Sequence, residues 1–341
     1  MPYTTAVRRG LAVVVGSLAI ATATPNPATA DPTPYLPAPT GPAPVGTTSL
    51  YLEDTSRQDP WVPSAGAREL MVSLWFPAKS RGGQRAPYMT PKESELVLEG
   101  TGTTGVPSDI LSTTRTNAYT DVKPAGGKHP LVVLSPGFTW PRTSLTALAE
   151  DLASHGYVVA GIDHTYENFA TTFPDGRVTT CAACTLDVAD FPTAAVESRA
   201  RDVSFVLDQL TKSTLVDPNR IAMVGQSLGG ASVGETMLTD SRVKAGINMD
   251  GTMFKPLPET GLSRPFMLLG EEGSDPSWDI TWQRLTGVKR WVSVPGSVHA
   301  SFTDYDMLAQ QIGVDLGSRL TGTSSVDITR RYVRSFLSCV T

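Results

Sequence analysis

Residues 221–232 read Ile221-Ala-Met-Val-Gly-Gln-Ser-Leu-Gly-Gly-Ala-Ser232. An apolar run typical of a buried strand leads directly into a Gly-x-Ser-x-Gly sequence centred on Ser227, and small residues follow it. A serine on a sharp strand-to-helix turn needs small neighbours two positions before and after it, because the strand and the helix pack closely there. The stretch therefore predicts a strand, a turn that presents the Ser227 hydroxyl, and a helix that starts at Ser227.

Short apolar runs alternate with helical patterns along most of the chain. Residues 195–212 repeat apolar side chains every three or four positions, as a core-facing helix does. Continuously apolar strands separated by helices indicate a mostly parallel sheet with helices on both faces. Two earlier runs, residues 48–53 and 69–76, are expected to pair antiparallel. We expect one α/β domain with a sheet of about eight strands. The other predicted strands are 131–134, 158–162, 221–224, 245–248, 266–269 and 291–294, and further helices are predicted at 91–99, 143–155 and 329–337.

The composition is that of an ordinary globular protein. The chain has 341 residues, of which 40% are apolar and 18% are charged, and its net charge is −5. Lysine and arginine are scattered rather than clustered, so no basic patch suited to nucleic acid or anionic membrane is present in the sequence. We expect a monomer with no nucleic-acid partner and no stable membrane insertion.

The N-terminus has the pattern of an export signal. Arg8 and Arg9 form a basic start, residues 11–23 form an apolar stretch, and small residues ending at Ala30 form a cleavage site. The apolar stretch is shorter than the roughly 20 residues that a bilayer requires. We expect a secreted protein that starts at Asp31 after cleavage, exported by either the general or the twin-arginine route.

The chain divides into three parts. Residues 1–30 are the predicted export signal, residues 31–47 are a proline-rich leader, and residues 48–341 are the predicted catalytic domain. Closely spaced prolines favour an extended chain and prevent a helix. The leader is therefore expected to be a linker or a strap.

Three cysteines are present in a chain predicted to enter an oxidising compartment, where thiols tend to pair. Cys181 and Cys184 are three positions apart, and no second Cys/His pair follows to complete a zinc site. A disulfide is favoured, either between these two or from one of them to Cys339. We predict the local bridge, because Cys339 lies two residues from a chain end.

Four histidines are available to act as a base for Ser227. His129 precedes a predicted strand and His155 lies in a helix-to-strand turn, so both should lie at the amino-terminal edge of the sheet. Sites in open parallel sheets lie at the carboxyl edge. His164 and His299 are expected at this edge, because each of them follows a strand. His299 comes after the last strand, where the chain order serine, acid, histidine requires the base. We assign the base to His299 and a hydrogen-bonding or pocket-wall role to His164.

Two aspartates are candidates for the acid that orients the imidazole. Asp250 follows the strand at 245–248, and Asp275 follows the strand at 266–269. Both positions face the carboxyl edge, and their spacing does not separate them.

Two backbone N–H groups are needed to bind the oxyanion of acyl transfer. One is expected at Leu228, the residue after the nucleophile. The other is expected in the loop at 135–140, where Gly137 permits the turn and Phe138 donates.

These motifs resemble bacterial secreted relatives of the platelet-activating factor acetylhydrolases, of the lipoprotein-associated phospholipase A2 type. The resemblance starts near Leu36 and reaches the C-terminal helix. It rests on Leu-Ser-Pro-Gly-Phe ending at Phe138, Gly-Gln-Ser-Leu-Gly-Gly around Ser227, Asn-Met-Asp-Gly around Asp250, and Gly-Ser-Val-His-Ala-Ser-Phe around His299. It implies the α/β-hydrolase fold and a serine esterase that uses no metal or other cofactor.

The resemblance also implies which aspartate is the acid. In the acetylhydrolases the acid follows the strand directly after the nucleophile helix, which is the position of Asp250. Cutinases and polyester hydrolases have a similar loop but take their acid one strand later, at the position of Asp275. The loop departs from the family in carrying Pro136 where histidine is usual.

The predicted function is hydrolysis of short-acyl lipid esters or small esters through an acyl-enzyme. The segment at 165–192 is expected to shape the substrate pocket. A cutinase-like lipase or polyester hydrolase is the alternative, and an open groove lined by Trp140, Trp278 and Trp282 would favour it. A catalytically silent α/β-hydrolase binding protein is the third possibility, against which the complete serine, histidine and aspartate set argues.

Overall fold

The computed structural model describes residues 33–188, 190–273 and 275–340, so the predicted export signal and its cleavage point lie outside the described residues. Within them the chain forms ten strands and seven α-helices. The strands are β1 (Val45–Gln58), β2 (Ala67–Pro77), β3 (His129–Ser135), β4 (Val158–Asp163), β5 (Thr171–Thr172), β6 (Val178–Thr179), β7 (Val216–Gln226), β8 (Val243–Met249), β9 (Phe266–Glu271) and β10 (Lys289–Val294). The helices are α1 (Pro91–Gly100), α2 (Thr146–Ser154), α3 (Phe191–Leu210), α4 (Leu228–Thr239), α5 (Pro276–Arg284), α6 (Tyr305–Gln311) and α7 (Ser324–Val340).

Eight of the strands form one sheet in the order β1-β2-β4-β3-β7-β8-β9-β10. From β4 to β10, neighbouring strands in this order run parallel. β1 pairs antiparallel with β2, and β2 pairs antiparallel with β4. The sequence prediction of about eight strands with an antiparallel start is confirmed. The two remaining strands, β5 and β6, form a separate small hairpin.

Helices cover both faces of this sheet. Successive residues of a strand point to opposite faces, so Val133 packs in a core with α3 and α4 while Val132 packs in a core with α2 and α7. Residues of α3 that carry the predicted periodicity, such as Val203 and Leu210, are buried. No helix within the described ranges combines the length and the apolarity needed to cross a bilayer.

The proline-rich leader is a strap across α2 and α7. Leu36 is buried, and the Arg330 side chain of α7 donates to the carbonyl oxygens of Pro37 at 3.0 Å and Ala38 at 3.1 Å. β1 begins at Val45, three residues before the predicted strand.

A disulfide joins Cys181 and Cys184, whose Cα atoms are 5.3 Å apart. Cys339 is a free, exposed thiol on α7. The predicted local bridge is confirmed.

Candidate active site

Ser227 lies at the turn between β7 and α4, with φ 54° and ψ −122°. Its N–H donates to the carbonyl oxygen of Met249 in β8 at 2.8 Å, which holds the turn against the next strand. A Cβ on Gly225 would lie 2.1 Å from the carbonyl oxygen of Gly229, and a Cβ on Gly229 would lie 2.0 Å from that of Ser135. Only glycine fits either position, and the turn that presents Ser227 depends on both.

His299 and Asp250 meet at the carboxyl edge of the sheet. The Nδ1 atom of His299 lies 2.5 Å from Oδ2 of Asp250, and Oδ1 of Asp250 accepts the N–H of Glu271 at 2.9 Å. The Asp250 side chain is 11% exposed and the His299 side chain is 49% exposed. The carboxylate is therefore shielded from water, while the imidazole is open to an incoming molecule.

Gln226 occupies the other side of the His299 ring. Its Nε2 lies 3.3 Å from Nε2 of His299 and donates to the His299 carbonyl oxygen at 3.2 Å. In the described part of the chain, the Ser227 hydroxyl makes no hydrogen bond. Catalytic hydrogen bonds are often loose in a free enzyme and tighten with substrate. The imidazole acceptor is thus next to the Gln226 amide in this state.

The loop after β3 passes directly against the turn at Ser227. A Cβ on Gly137 would lie 3.2 Å from Cβ of Ser227 and 2.8 Å from Cδ1 of Trp140. The N–H of Phe138 has no acceptor among the described residues. Leu228 is the first residue of α4, and the helix itself offers no partner for an N–H at that position. Two N–H groups without helical or strand partners therefore flank Ser227.

Proteins of similar sequence and fold are ester hydrolases. The structure of a ferulic acid esterase from Streptomyces cinnamoneus matches this one with a TM-score of 0.83 and 42% sequence identity, over 91% of this chain and 93% of that chain. A probable 1-alkyl-2-acetylglycerophosphocholine esterase from Arthroderma benhamiae is 28% identical over 308 residues, which are 82% of this chain and 78% of the fungal protein.

Two family models match parts of the chain. Platelet-activating factor acetylhydrolase, isoform II, matches residues 28–179, and the PET hydrolase-like family matches residues 116–253. The platelet-activating factor acetylhydrolase of Bos taurus is 27% identical over 228 residues, 55% of this chain and 51% of the bovine protein. The chain is an esterase similar to the platelet-activating factor acetylhydrolases. As predicted, it is a carboxylic-ester hydrolase of the α/β-hydrolase fold.

The other histidines of this esterase lie away from Ser227. His129 opens β3 and contacts the carbonyl oxygen of Gly156 at 2.9 Å, and His155 follows α2, so both lie at the amino-terminal edge as predicted. His164 follows β4 and is 1% exposed. It is hydrogen-bonded, as predicted, to Ser135 at the start of the loop at 135–140 and to Asp202 of α3, and it is not exposed in a pocket wall.

Asp275, the alternative acid, caps a helix in the esterase. Its Oδ1 accepts the N–H of Ser277 at 2.8 Å at the start of α5, and its Oδ2 accepts the Thr252 hydroxyl. Within the described residues it makes no contact with His299. Of the two aspartates left open by spacing, the structure brings only Asp250 to the imidazole.

The open tryptophan groove expected for the cutinase-like alternative is absent from the described residues. Trp278 is 3% exposed and donates to the carbonyl oxygen of Gly251 at 2.7 Å. Trp282 packs edge-to-face on Trp291 of β10, and Trp140 packs on an aromatic ring of α6. Trp278 is buried and the other two rings are half-buried against aromatic neighbours, so the described residues lack the exposed tryptophan groove that would have favoured the cutinase-like alternative.

An aromatic cluster beside the loop at 135–140 was not found from the sequence. The ring centroids of Trp61 and Phe191 are 5.1 Å apart, and those of Phe138 and Phe191 are 5.0 Å apart. Leu228 and Ala183 pack in the same cluster. Its members come from distant segments of the chain, and no local pattern marks them as neighbours.

Two polar groups near His299 were also missed. Burial, together with the charge of Asp250, raises the pKa of Glu271. Gln226 is fully buried, and its Oε1 has no hydrogen-bond partner among the described residues. In residues 33–188, 190–273 and 275–340, no group of three or more His, Cys, Asp or Glu side chains is arranged to hold a metal ion.

Proposed function

We propose that the esterase forms an acyl-enzyme on Ser227, with His299 as the base and Asp250 as the acid that orients it. The 2.5 Å contact between Asp250 and Nδ1 of His299 carries the proposal. A carboxylate at that distance holds the proton on Nδ1, which leaves Nε2 free to accept one from a serine hydroxyl. The position of His299 at the same sheet edge as the Ser227 turn supports this assignment.

In the first step, the Ser227 hydroxyl replaces the Gln226 amide as the partner of His299 Nε2. Ser227 Oγ attacks the ester carbonyl carbon, and its proton passes to Nε2. The N–H groups of Phe138 and Leu228 bind the oxyanion that forms. The protonated His299 then gives its proton to the leaving alcohol. Water attacks the acyl-enzyme next, with His299 again accepting a proton and returning it to Ser227 Oγ, which releases the acid.

The nucleophile is tested by Ser227→Ala, with Ser232→Ala as the matched control. Ser232 is a buried serine of α4, the helix that follows Ser227, and its hydroxyl donates to the Leu228 carbonyl oxygen at 2.7 Å. Removal of the nucleophile should lower kcat by about 10³-fold or more with little change in melting temperature, whereas the control keeps its rate within about threefold. Activity of Ser227→Ala above a tenth of wild type would contradict the proposal.

For the substrate, we propose small esters with short acyl groups, including phospholipids with a short sn-2 chain. The similarity to 1-alkyl-2-acetylglycerophosphocholine esterases supports this class. A second candidate is an ester of a hydroxycinnamic acid. The cluster of Trp61, Phe138 and Phe191 favours it, because aromatic rings beside the two N–H donors can pack on a planar acyl group. The similarity to a ferulic acid esterase supports the same candidate.

Kinetics with p-nitrophenyl acetate, p-nitrophenyl octanoate, methyl ferulate and a short-sn-2 phospholipid separate these classes. A steep fall in kcat/KM from acetate to octanoate, with a slow methyl ferulate reaction, supports the short-acyl class. A fast methyl ferulate reaction that Phe191→Ala lowers at least tenfold, with p-nitrophenyl acetate unaffected, supports the aromatic class. Faster hydrolysis of p-nitrophenyl octanoate than of p-nitrophenyl acetate and methyl ferulate would contradict both substrate classes.

Export is also proposed, on the strength of the pattern around Arg8 and the cleavage site at Ala30. N-terminal sequencing of the protein from the medium of an expressing bacterium should give Asp31 as the first residue. Retention of the unprocessed chain inside the cells would contradict export.

A further inference from the structure

A second hydrogen-bonded set of serine, histidine and aspartate side chains lies buried at the start of the loop at 135–140. The Ser135 hydroxyl lies 2.8 Å from Nε2 of His164, and Nδ1 of His164 lies 2.8 Å from Oδ2 of Asp202. None of the three side chains is more than 1% exposed, so no substrate reaches them. Their role is therefore not that of a second reactive centre.

The charges around His164 define its hydrogen bonds. Asp202 is paired with Arg68 at 2.8 Å and with Arg57, so it remains a carboxylate that accepts the Nδ1 proton. Burial, and then the nearby charge of Arg199, lowers the pKa of His164. Nε2 of the neutral ring then accepts a hydrogen bond from the Ser135 hydroxyl. This bond fixes the end of β3 where the loop begins.

Arg199 of α3 reaches the same loop from the other side. Its Nη1 donates to the carbonyl oxygen of Pro136 at 2.5 Å, and its Nε donates to Oε2 of Glu167 at 2.7 Å. The backbone carbonyl of Glu167 accepts the N–H of Thr139 at 2.8 Å. Arg199 and Glu167 are 1% and 0% exposed, so water does not compete for these bonds.

These contacts hold the peptide units on both sides of one N–H. The Pro136–Gly137 peptide is held through its carbonyl oxygen by Arg199, and the Phe138–Thr139 peptide is held through its N–H by Glu167. The peptide between them carries the Phe138 N–H, which has no acceptor of its own in the described chain. Its direction is determined by these two neighbours and by its own carbonyl oxygen, that of Gly137, which accepts the N–H of Trp140 at 3.3 Å.

We propose that Arg199 and the His164–Ser135 pair are positioning residues that aim the Phe138 N–H at the developing oxyanion. This inference rests on the proposed role of Phe138 as an oxyanion donor. A donor aimed in advance stabilises the transition state more than the bound substrate, and its misplacement lowers kcat rather than raising KM. A network that served stability alone would change neither kcat nor KM of the folded enzyme.

The first test is Arg199→Lys, with Arg330→Lys as the matched control. Lysine keeps the charge beside Glu167 but lacks the fork that also reaches the Pro136 carbonyl. Arg330 is equally buried and also donates to backbone carbonyls, on the opposite face of the sheet. In Arg199→Lys, kcat for p-nitrophenyl acetate should fall about 10- to 100-fold, with KM within about threefold. Arg330→Lys should lower the melting temperature and keep kcat.

A trifluoromethyl ketone gives a direct readout of the oxyanion site. Ser227 Oγ adds to its carbonyl carbon, the serine proton moves to His299, and the resulting oxyanion occupies the same site as in the reaction. Its inhibition constant should rise in Arg199→Lys by about the factor by which kcat/KM falls. An unchanged inhibition constant, or a kcat within threefold of wild type, would overturn the inference.

If Arg199→Lys does not fold, Ser135→Ala tests the inference instead, with Ser94→Ala as the control. Ser94 of α1 is another fully buried serine, and its hydroxyl donates to the Ser108 carbonyl oxygen and accepts the Leu111 N–H. Ser135→Ala should lower kcat about tenfold at constant KM, while Ser94→Ala keeps it; an unchanged kcat in Ser135→Ala would overturn the inference.

Labelling of wild type with a fluorophosphonate separates this inference from the proposed function. Without a label on Ser227, the proposed nucleophile fails, and the positioning role falls with it. A labelled Ser227 together with an unchanged kcat in the folded positioning variant overturns the positioning role alone.

Discussion

Replacement of Asp250 by asparagine isolates the role of one oxygen atom. Asp250 has φ 56°, a left-handed conformation that asparagine tolerates better than most residues, so the backbone should remain in place. Asparagine can keep the Oδ1 bond from the Glu271 N–H and presents an NH₂ group to Nδ1 of His299 in place of Oδ2. The imidazole must then carry its proton on Nε2, where it cannot accept the serine proton.

The expected loss can be estimated from the analogous change in a serine protease, which lowers kcat by about 10⁴-fold. That factor corresponds to about 5.4 kcal/mol of transition-state stabilisation. Steady-state hydrolysis of p-nitrophenyl acetate near pH 8 measures it, with thermal unfolding as a check that the Asp250→Asn variant is folded.

Asp275→Asn is the matched control, because asparagine caps a helix about as well as aspartate. Its kcat should stay within about threefold of wild type, since Asp275 contacts the start of α5 and not His299. A loss confined to Asp275→Asn, with Asp250→Asn active above a tenth of wild type, would refute the reasoning and move the acid to the later strand.

Three further predictions concern stability and the loop at 135–140. The folded-state pKa of His164 lies below its usual value near 6.5, so the unfolded chain binds more protons there and the free energy of unfolding should fall as the pH drops below about 6.5. Chemical unfolding at pH 7 and pH 5 should show a smaller fall in His164→Gln than in wild type. Reduction of the bridge between Cys181 and Cys184 opens a loop of only a few residues and should cost at most about 2 kcal/mol in unfolding free energy, measured by calorimetry with and without reductant. A Cβ in Gly137→Ala would lie 2.4 Å from Oε1 of Gln226, so kcat should fall at least tenfold while the melting temperature changes little.

The eight strands of the main sheet and five of the seven described α-helices could be predicted from the sequence, because each carries its own periodic or apolar pattern. The short helices α5 and α6 and the hairpin of β5 and β6 were not predicted. The turn at Ser227 was also predictable, since its glycine requirement is local. Asp250 and Asp275 could not be separated in this way, because both follow a strand at the same sheet edge. What separates them is the left-handed backbone of Asp250 and the distance to His299, neither of which leaves a mark in the spacing.

The buried network beneath the loop was equally inaccessible from the sequence. Arg199 and Asp202 lie on the buried side of a helix whose pattern shows only its apolar residues. Their partners come from β1, β2, the loop after β3 and the segment after β4. A charged residue in a helix is usually solvated, and nothing local indicates that these two are paired. Only the three-dimensional arrangement brings them to the end of β3.

Mass spectrometry of acid-quenched enzyme during turnover of p-nitrophenyl acetate tests the account most directly. One acetyl group should be found per active enzyme, on the peptide that contains Ser227, together with a stoichiometric burst of p-nitrophenol before the steady state. Both signals should vanish in Ser227→Ala. Turnover without any acetylated peptide, or acetylation at another residue with full activity in Ser227→Ala, would contradict the proposed mechanism.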